Sequence, residues 1–354
     1  MVSSIGIIRV ESSMVTKVTS LTAGAASHAA GKEPAGDGLQ QGRQLARHLA
    51  TRADAEIGQV ILGKPAEIRL AITCLMAGGH LLIEDVPGVG KTLLARSLAG
   101  ALGLSFRRIQ FTSDMLPADI IGLSILDQTT TTFRFHPGPI FAHVVLADEI
   151  NRATPKAQSA LLEAMEEHQV SYDGHTHALP SPFFVIATQN PLHQAGTFPL
   201  PESQLDRFLM RIRLGYPEEA LERKLLKGED RRHLLAGIEP IIDVAGIAAV
   251  RACVREVFLS EAVLDYVQAL VRHTRQSSLF DLGLSPRGAQ DLMNAARCWA
   301  LFQGHPGVHP EDVKAVFPAV AGHRLRPRLG SSAALGTAVM ANPAQVVLES
   351  VPIP

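Results

Sequence analysis

The strongest chemistry in this chain sits in eight consecutive residues: Asp85, Val86, Pro87, Gly88, Val89, Gly90, Lys91 and Thr92. Glycines at 88 and 90 let successive backbone N–H groups turn toward one centre without a Cβ in the way, and such a concavity binds anions. A lysine follows as a point charge for phosphate oxygens, then a hydroxyl able to ligate Mg²⁺. The strict phosphate-loop pattern G-x-x-x-x-G-K-[ST] fails only at its first position, where Asp85 stands in place of glycine. A second cluster lies farther along, where the apolar run 144–147 ends in Asp148 and Glu149. Two carboxylates at the end of a buried strand need a cation to offset them. The C-terminal edge of a parallel sheet is also where ligands bind in open α/β folds. Asp148 would hold Mg²⁺ together with Thr92, and Glu149 would polarise an attacking water. The two clusters together point to binding and hydrolysis of ATP with Mg²⁺.

Elements of the right kind surround both clusters. Apolar runs at 80–85, 143–149 and 183–190 read as short strands continuous enough to be buried on both faces, and 107–111 reads as a further strand. Residues 66–77, 92–102 and 154–168 carry helical periodicity; in the last, Thr154 is the expected N-cap and Pro155 the first helical residue. The phosphate loop therefore lies between a strand and a helix whose positive dipole end faces the bound group. Residues 124–135 alternate as a hairpin, and 170–180 form another, turning at Asp173-Gly174. After Tyr216-Pro217 the character changes to helices over 218–235, 247–257, 260–275, 287–303 and 310–320. The fold class that follows is an α/β parallel-sheet domain and a smaller all-helical domain behind it. The expected boundaries are a disordered tail over 1–38, the α/β domain over 39–216, the helical domain over 217–330 and an extension over 331–354.

Composition narrows the partners. With 354 residues and 46% apolar content, two domains with real cores are expected. A net charge of −1 offers no electrostatic footprint for nucleic acid or an anionic membrane. No run approaches the length of a membrane span. Cys74, Cys253 and Cys298 show no metal or disulfide spacing, so a reducing cytoplasmic setting is the expectation. His175 and His177 at the second hairpin tip, an H-x-H spacing that could ligate a metal, read rather as solvated, and the cluster Arg324, Arg326 and Arg328 reads as solvated or as a subunit contact.

The stretches LLIEDVPGVGKTLLARSLA, RIQFTSDMLPADIIG, FRFHPGPIF, VVLADEINRATPKAQSALLEAMEE, FFVIATQNP, PESQLDRFLM and LSPRGAQDL resemble the MoxR family of AAA+ ATPases, over about 40–328. A non-glycine first P-loop residue such as Asp85 is ordinary there. The resemblance implies an AAA+ domain with a helical lid and ATP held by the loop through Leu93. It places Val60 and Ile61 beside the adenine. Asn190 matches sensor 1, Arg207 the arginine finger that reaches a neighbouring subunit's nucleotide, and Arg287 sensor 2. It further implies a homo-oligomeric ring, most simply a hexamer, hairpins that line a central pore, and a partner with a von Willebrand factor A domain. The implied work is chaperone-like maturation of a client protein complex, including metal-cofactor insertion. A magnesium-chelatase-like ATPase subunit and a nucleotide switch with little turnover are the competing readings; a nucleic-acid motor fits the near-neutral charge poorly.

Overall fold

The computed structural model describes residues 35–129, 131–191, 196–227, 231–328 and 342–353. The expected tail lies outside them as far as residue 34, as does the first half of the expected extension. The first unit runs α1 (Ala35–Val60), α2 (Pro65–Met76), β1 (Leu81–Glu84), α3 (Lys91–Ala101), β2 (Phe106–Gln110), α4 (Pro117–Ile121), β3 (Gly122–Asp127), β4 (Thr132–Pro137), β5 (Val144–Asp148), α5 (Pro155–Glu167), β6 (Gln169–Tyr172), β7 (His175–Ala178), β8 (Phe184–Gln189), α6 (Glu202–Leu205) and β9 (Met210–Ile212). The second holds α7 (Glu219–Leu226), α8 (Arg231–Ala236), α9 (Val244–Arg255), α10 (Glu261–Gln276), β10 (Phe280–Leu282), α11 (Pro286–Gln303), α12 (Pro310–Ala321), β11 (Arg326–Pro327) and α13 (Pro343–Ser350).

Five strands form one parallel sheet in the order β2-β5-β8-β1-β9. Period-two alternation between two covered faces explains why the central strands β5 and β8 are apolar over most of their length, whereas the edge strand β2 exposes Arg107, Arg108 and Gln110. Val144 and Leu146 of β5, with Phe184 and Ile186 of β8, face a core shared with α1, α2, α3 and the second unit. Val145, Ala147, Val185 and Ala187 face a separate core built on α4 and α5. With both faces covered, no solvent-facing alternation remains. The sheet order sets the crevice as well. The chain leaves β1 for β2 on one side and returns to β9 on the other, so the loop after β1 lies at the switch point, at the C-terminal ends of β5 and β8.

Several local expectations change. Thr154 is extended and precedes α5, but its side chain makes no capping bond. The second unit is helical except for one antiparallel ladder, β10 with β11. Both hairpins form, β3 with β4 and β6 with β7. His177 is not simply solvated, because its ring stacks on Phe135 of the other hairpin at 4.0 Å and 13°. Arg324 is buried at 6% exposure rather than part of a solvated patch. Arg326 and Arg328 pair with Glu202 and Asp281 at 2.8 and 2.7 Å. Among the described residues no helix is long and apolar enough to cross a membrane.

Candidate nucleotide site

The chain leaves β1 at Asp85 and enters α3 at Lys91, with Gly90 in the left-handed region at φ +95° just before the first turn. Gly88 is also left-handed, at φ +86°. Side chains rarely adopt these angles, which is why glycine recurs at this spacing. Asp85 is itself buried. Its Oδ1 accepts from the Val86 amide at 2.8 Å, and its Oδ2 accepts from the amides of Leu214 and Gly215, each at 2.6 Å. The carboxylate that breaks the strict pattern thus ties the loop base to the segment that leaves β9 for the helical unit. Lys91 Nζ donates to the carbonyls of Asp85 and Val86 at 2.5 and 3.1 Å. Burial lowers its pKa, while Asp85, Asp148 and Glu149 act to raise it.

Asp148 closes β5, and Thr188 of β8 organises it: the Thr188 hydroxyl donates to Asp148 Oδ1 at 2.6 Å and accepts from the Glu149 amide at 2.9 Å. Glu149 is held in the left-handed region at φ 57°, uncommon for a side-chain-bearing residue. That turn brings its carboxylate to Arg152 Nη1 at 2.8 Å and Gln110 Nε2 at 3.1 Å. Arg108 Nε and Nη2 both reach Asp148 Oδ2, at 3.0 and 2.6 Å.

A cavity of about 350 Å³ collects Pro87, Gly88, Gly90, Lys91, Thr92, Leu93, Arg108, Asp148, Glu149 and Asn190. Beside it, a smaller one of about 140 Å³ is walled by Val60, Ile61, Val89, Leu93, Gly215 and Pro217. The first is charged and the second apolar, as a triphosphate and a purine require. Val86 lines neither and contributes only its backbone. The hydroxyl of Thr92 and the carboxylate of Asp148 offer oxygen to one space, the ligand type a hard cation such as Mg²⁺ takes.

Arg207 and Arg287 lie elsewhere. Arg207 precedes β9, and Arg287 opens α11. Both reach Glu166 near the end of α5, at 2.8 and 2.6 Å, and Arg207 Nη1 also donates to the Leu162 carbonyl at 2.6 Å. Pairing with Arg287 lowers the Glu166 pKa, aided by the charge of Arg207. The adjacent Met165 carbonyl contacts His80, just before β1. This cluster is therefore at the N-terminal edge of the sheet, a strand length of roughly 13 Å from the P-loop edge.

Arg108, Gln110, Arg152 and Thr188 were not among the candidates named from sequence. Arg108 and Gln110 stand two apart at the end of β2, the spacing that puts both on one face, and a lone threonine in an apolar strand was the signal for Thr188.

Comparison with known proteins agrees with this geometry. Residues 80–210 match the ATPase family associated with various cellular activities (AAA), and 272–343 match the AAA lid domain. The chain is 40% identical to Chaperone MoxR1 of Mycobacterium tuberculosis over 78% of its own length and 76% of that protein. The chain belongs to the MoxR family of AAA+ ATPases. The uncharacterized protein YeaC of Bacillus subtilis is 46% identical over 78% of this chain and 87% of its own. The solved structure of a candidate ATPase from Cytophaga hutchinsonii, 33% identical, superposes with a TM-score of 0.79 over 90% of this chain and 98% of that one.

Proposed function

We propose that this MoxR-family chain binds ATP with Mg²⁺ between its sheet domain and lid and hydrolyses it in a homo-oligomeric ring. The observation that carries the ring is the separation of Arg207 and Arg287 from the chain's own P-loop, at the opposite edge of the sheet. An arginine that cannot serve its own site is suited to a neighbour's, and a finger in trans is worth about 10³-fold or more in rate. Lys91 and the loop amides bind and orient the β- and γ-phosphates. Thr92 and Asp148 hold Mg²⁺, which when bound screens phosphate charge. Glu149 draws a proton from the water that attacks the γ-phosphorus, Asn190 orients that water, and the bond to the β,γ-bridging oxygen breaks. Val60 and Ile61 pack on the base. Asp85, by bonding Leu214 and Gly215, passes a change at the loop to the lid.

The name of the Mycobacterium relative, a chaperone, supports remodelling of a client protein complex as the work done. A von Willebrand factor A domain partner and metal-cofactor insertion are the finer parts of this reading, together with a cytoplasmic location and the domain boundaries at 38, 216 and 330. The test is steady-state ATPase activity against protein concentration for the wild type, Glu149→Gln and Arg207→Ala. Specific activity that rises with concentration and collapses in both variants, with ATP binding kept in each, is the expected result. A wild type that binds ATP without turnover at any concentration, with or without partner, would overturn it in favour of a switch.

A further inference from the structure

We propose that His305, His309 and Asp312, at the turn between α11 and α12, bind a divalent transition-metal ion of the zinc type. They are, among the described residues, the one group of three metal-ligating side chains whose ligand atoms all lie within 4.8 Å of one another. The site stands apart from the nucleotide cavity and shares no residue with it.

The sequence prepares the site. His305 and His309 are each followed by proline, Pro306 and Pro310, which disfavours the helical region for the preceding residue and biases it toward extended backbone. His309 accordingly sits at φ −103° and ψ 157°. The turn is pinned by backbone bonds: His305 N–H donates to the Ala300 carbonyl at 2.9 Å, and Val308 N–H to the Phe258 carbonyl at 2.9 Å. The ordering entropy of the loop is therefore spent in folding and not in binding.

The chemistry of the three side chains fits one ion. Asp312 is 2% exposed, and its partners are His305 Nδ1, 3.1 Å from each carboxylate oxygen, and the His309 amide at 2.8 Å. No lysine or arginine is bonded to it among the described residues, so a buried carboxylate rests on one imidazole and the backbone amide of His309 at a helix N-terminus. A cation there offsets the charge. The His305 and His309 rings stand 4.4 Å apart at 31°, with His309 exposed. Zinc binds imidazole nitrogen at about 2.0–2.1 Å and carboxylate oxygen at about 2.0–2.2 Å, so its ligand atoms are roughly 3.3 Å apart. The His305–Asp312 edge already has that separation, and rotation of the exposed His309 ring completes a third. Two imidazoles and one carboxylate select zinc-like ions over Mg²⁺, which prefers oxygen alone. The fourth position falls to water. Such an ion clips the end of α11 to the start of α12, the two helices that carry Arg287 and lead to Arg324.

Equilibrium dialysis of the full chain against Zn²⁺, with Mg²⁺ in excess to occupy the P-loop carboxylates, tests this. Wild type should retain one zinc per chain by mass spectrometry, and its thermal midpoint should rise with zinc concentration. His309→Ala removes an exposed ring without touching the amide that caps α12. Its zinc affinity should fall by at least about 100-fold, the upper end of what even an outer-shell partner contributes. Its midpoint in EDTA should match wild type. His309→Asn, which keeps a capping side chain, supplies the same reading if the alanine variant is unstable. A wild type that retains no more zinc than these variants would overturn the proposal and reduce the cluster to a hydrogen-bonded helix cap.

Discussion

Asp85 shows how far residue types alone carry the site. Lys91, Thr92, Asp148 and Glu149 were legible as candidates, and line one cavity, because phosphate and Mg²⁺ chemistry calls for a cation, a hydroxyl and carboxylates at those spacings. The work of the Asp85 carboxylate was not, because two of its three partners are amides 129 and 130 residues away. No local pattern reports a bond of that length. The consequence is testable at this one position. Asp85→Gly restores the strict loop pattern yet leaves the amides of Val86, Leu214 and Gly215 without their acceptor. Buried donors left unpaired cost about 1–3 kcal/mol each, so Asp85→Gly should lower unfolding free energy by about 2 kcal/mol or more in urea titrations. Asp85→Asn keeps one acceptor oxygen and should lose less. Nucleotide affinity should fall in the same order, because the loop base would no longer be anchored. A glycine variant as stable as wild type would mean that the carboxylate merely occupies the position.

Elements long enough to show a period were legible, and those built on few residues were not. Strands β1, β5 and β8 announce themselves as apolar runs. Strand β9 has three residues with Arg211 at its centre, a charge that reads as solvent-facing. Its guanidinium instead turns to Glu84 at 3.1 Å and the Gly322 carbonyl at 2.9 Å. His80 was similarly opaque, a polar residue at the head of a buried strand. The ring joins two elements: Nδ1 accepts from the Val185 amide of β8 at 3.0 Å, and Nε2 contacts the Met165 carbonyl of α5 at 3.2 Å. One nitrogen accepts and the other donates, so only the neutral ring satisfies both. Burial is the main cause that pushes its pKa down from 6.5 to about 4. The folded pKa lies below the unfolded one, so the contribution is whole above pH 6.5 and is lost as pH falls toward 4. The loss reaches about 3 kcal/mol at most from this ring. Buried His323, also shifted down, acts in the same direction. Urea unfolding of wild type at stepped pH should show this decline, and His80→Gln should start less stable and decline less steeply.

At the scale of the molecule, the sheet domain and the lid are joined through a buried arginine that the sequence places in an apparently basic cluster. Arg324 donates to Asp206 Oδ1 at 2.7 Å and Asp291 Oδ2 at 2.5 Å. It also donates to the carbonyls of Leu209, Val320 and Asp206, at 3.0, 2.7 and 3.1 Å. Asp206 and Leu209 belong to the sheet domain, Asp291 and Val320 to the lid, and Ser285 adds a hydroxyl to Asp206 at 2.9 Å. Asp206 is also the neighbour of Arg207, so the same junction that seats the lid sets where the proposed finger stands. Periodicity could not reveal this, since a fully paired buried guanidinium and a solvated one look alike in sequence. Removing one partner from a buried charge cluster typically costs about 3–5 kcal/mol, because the others remain desolvated and unpaired. Arg324→Met should therefore destabilise the chain by that order, with Asp206 and Asp291 left facing one another. Arg324→Lys should fall between, since an ammonium is a point charge without the planar fork. At temperatures where the lysine variant stays folded, its P-loop should bind ATP as wild type does. Its concentration-dependent turnover should drop, because that readout needs Arg207 held in place for the neighbouring subunit. If turnover and ATP binding fell together, the junction would be holding the lid alone, and the finger would be positioned by Glu166 without help from the lid.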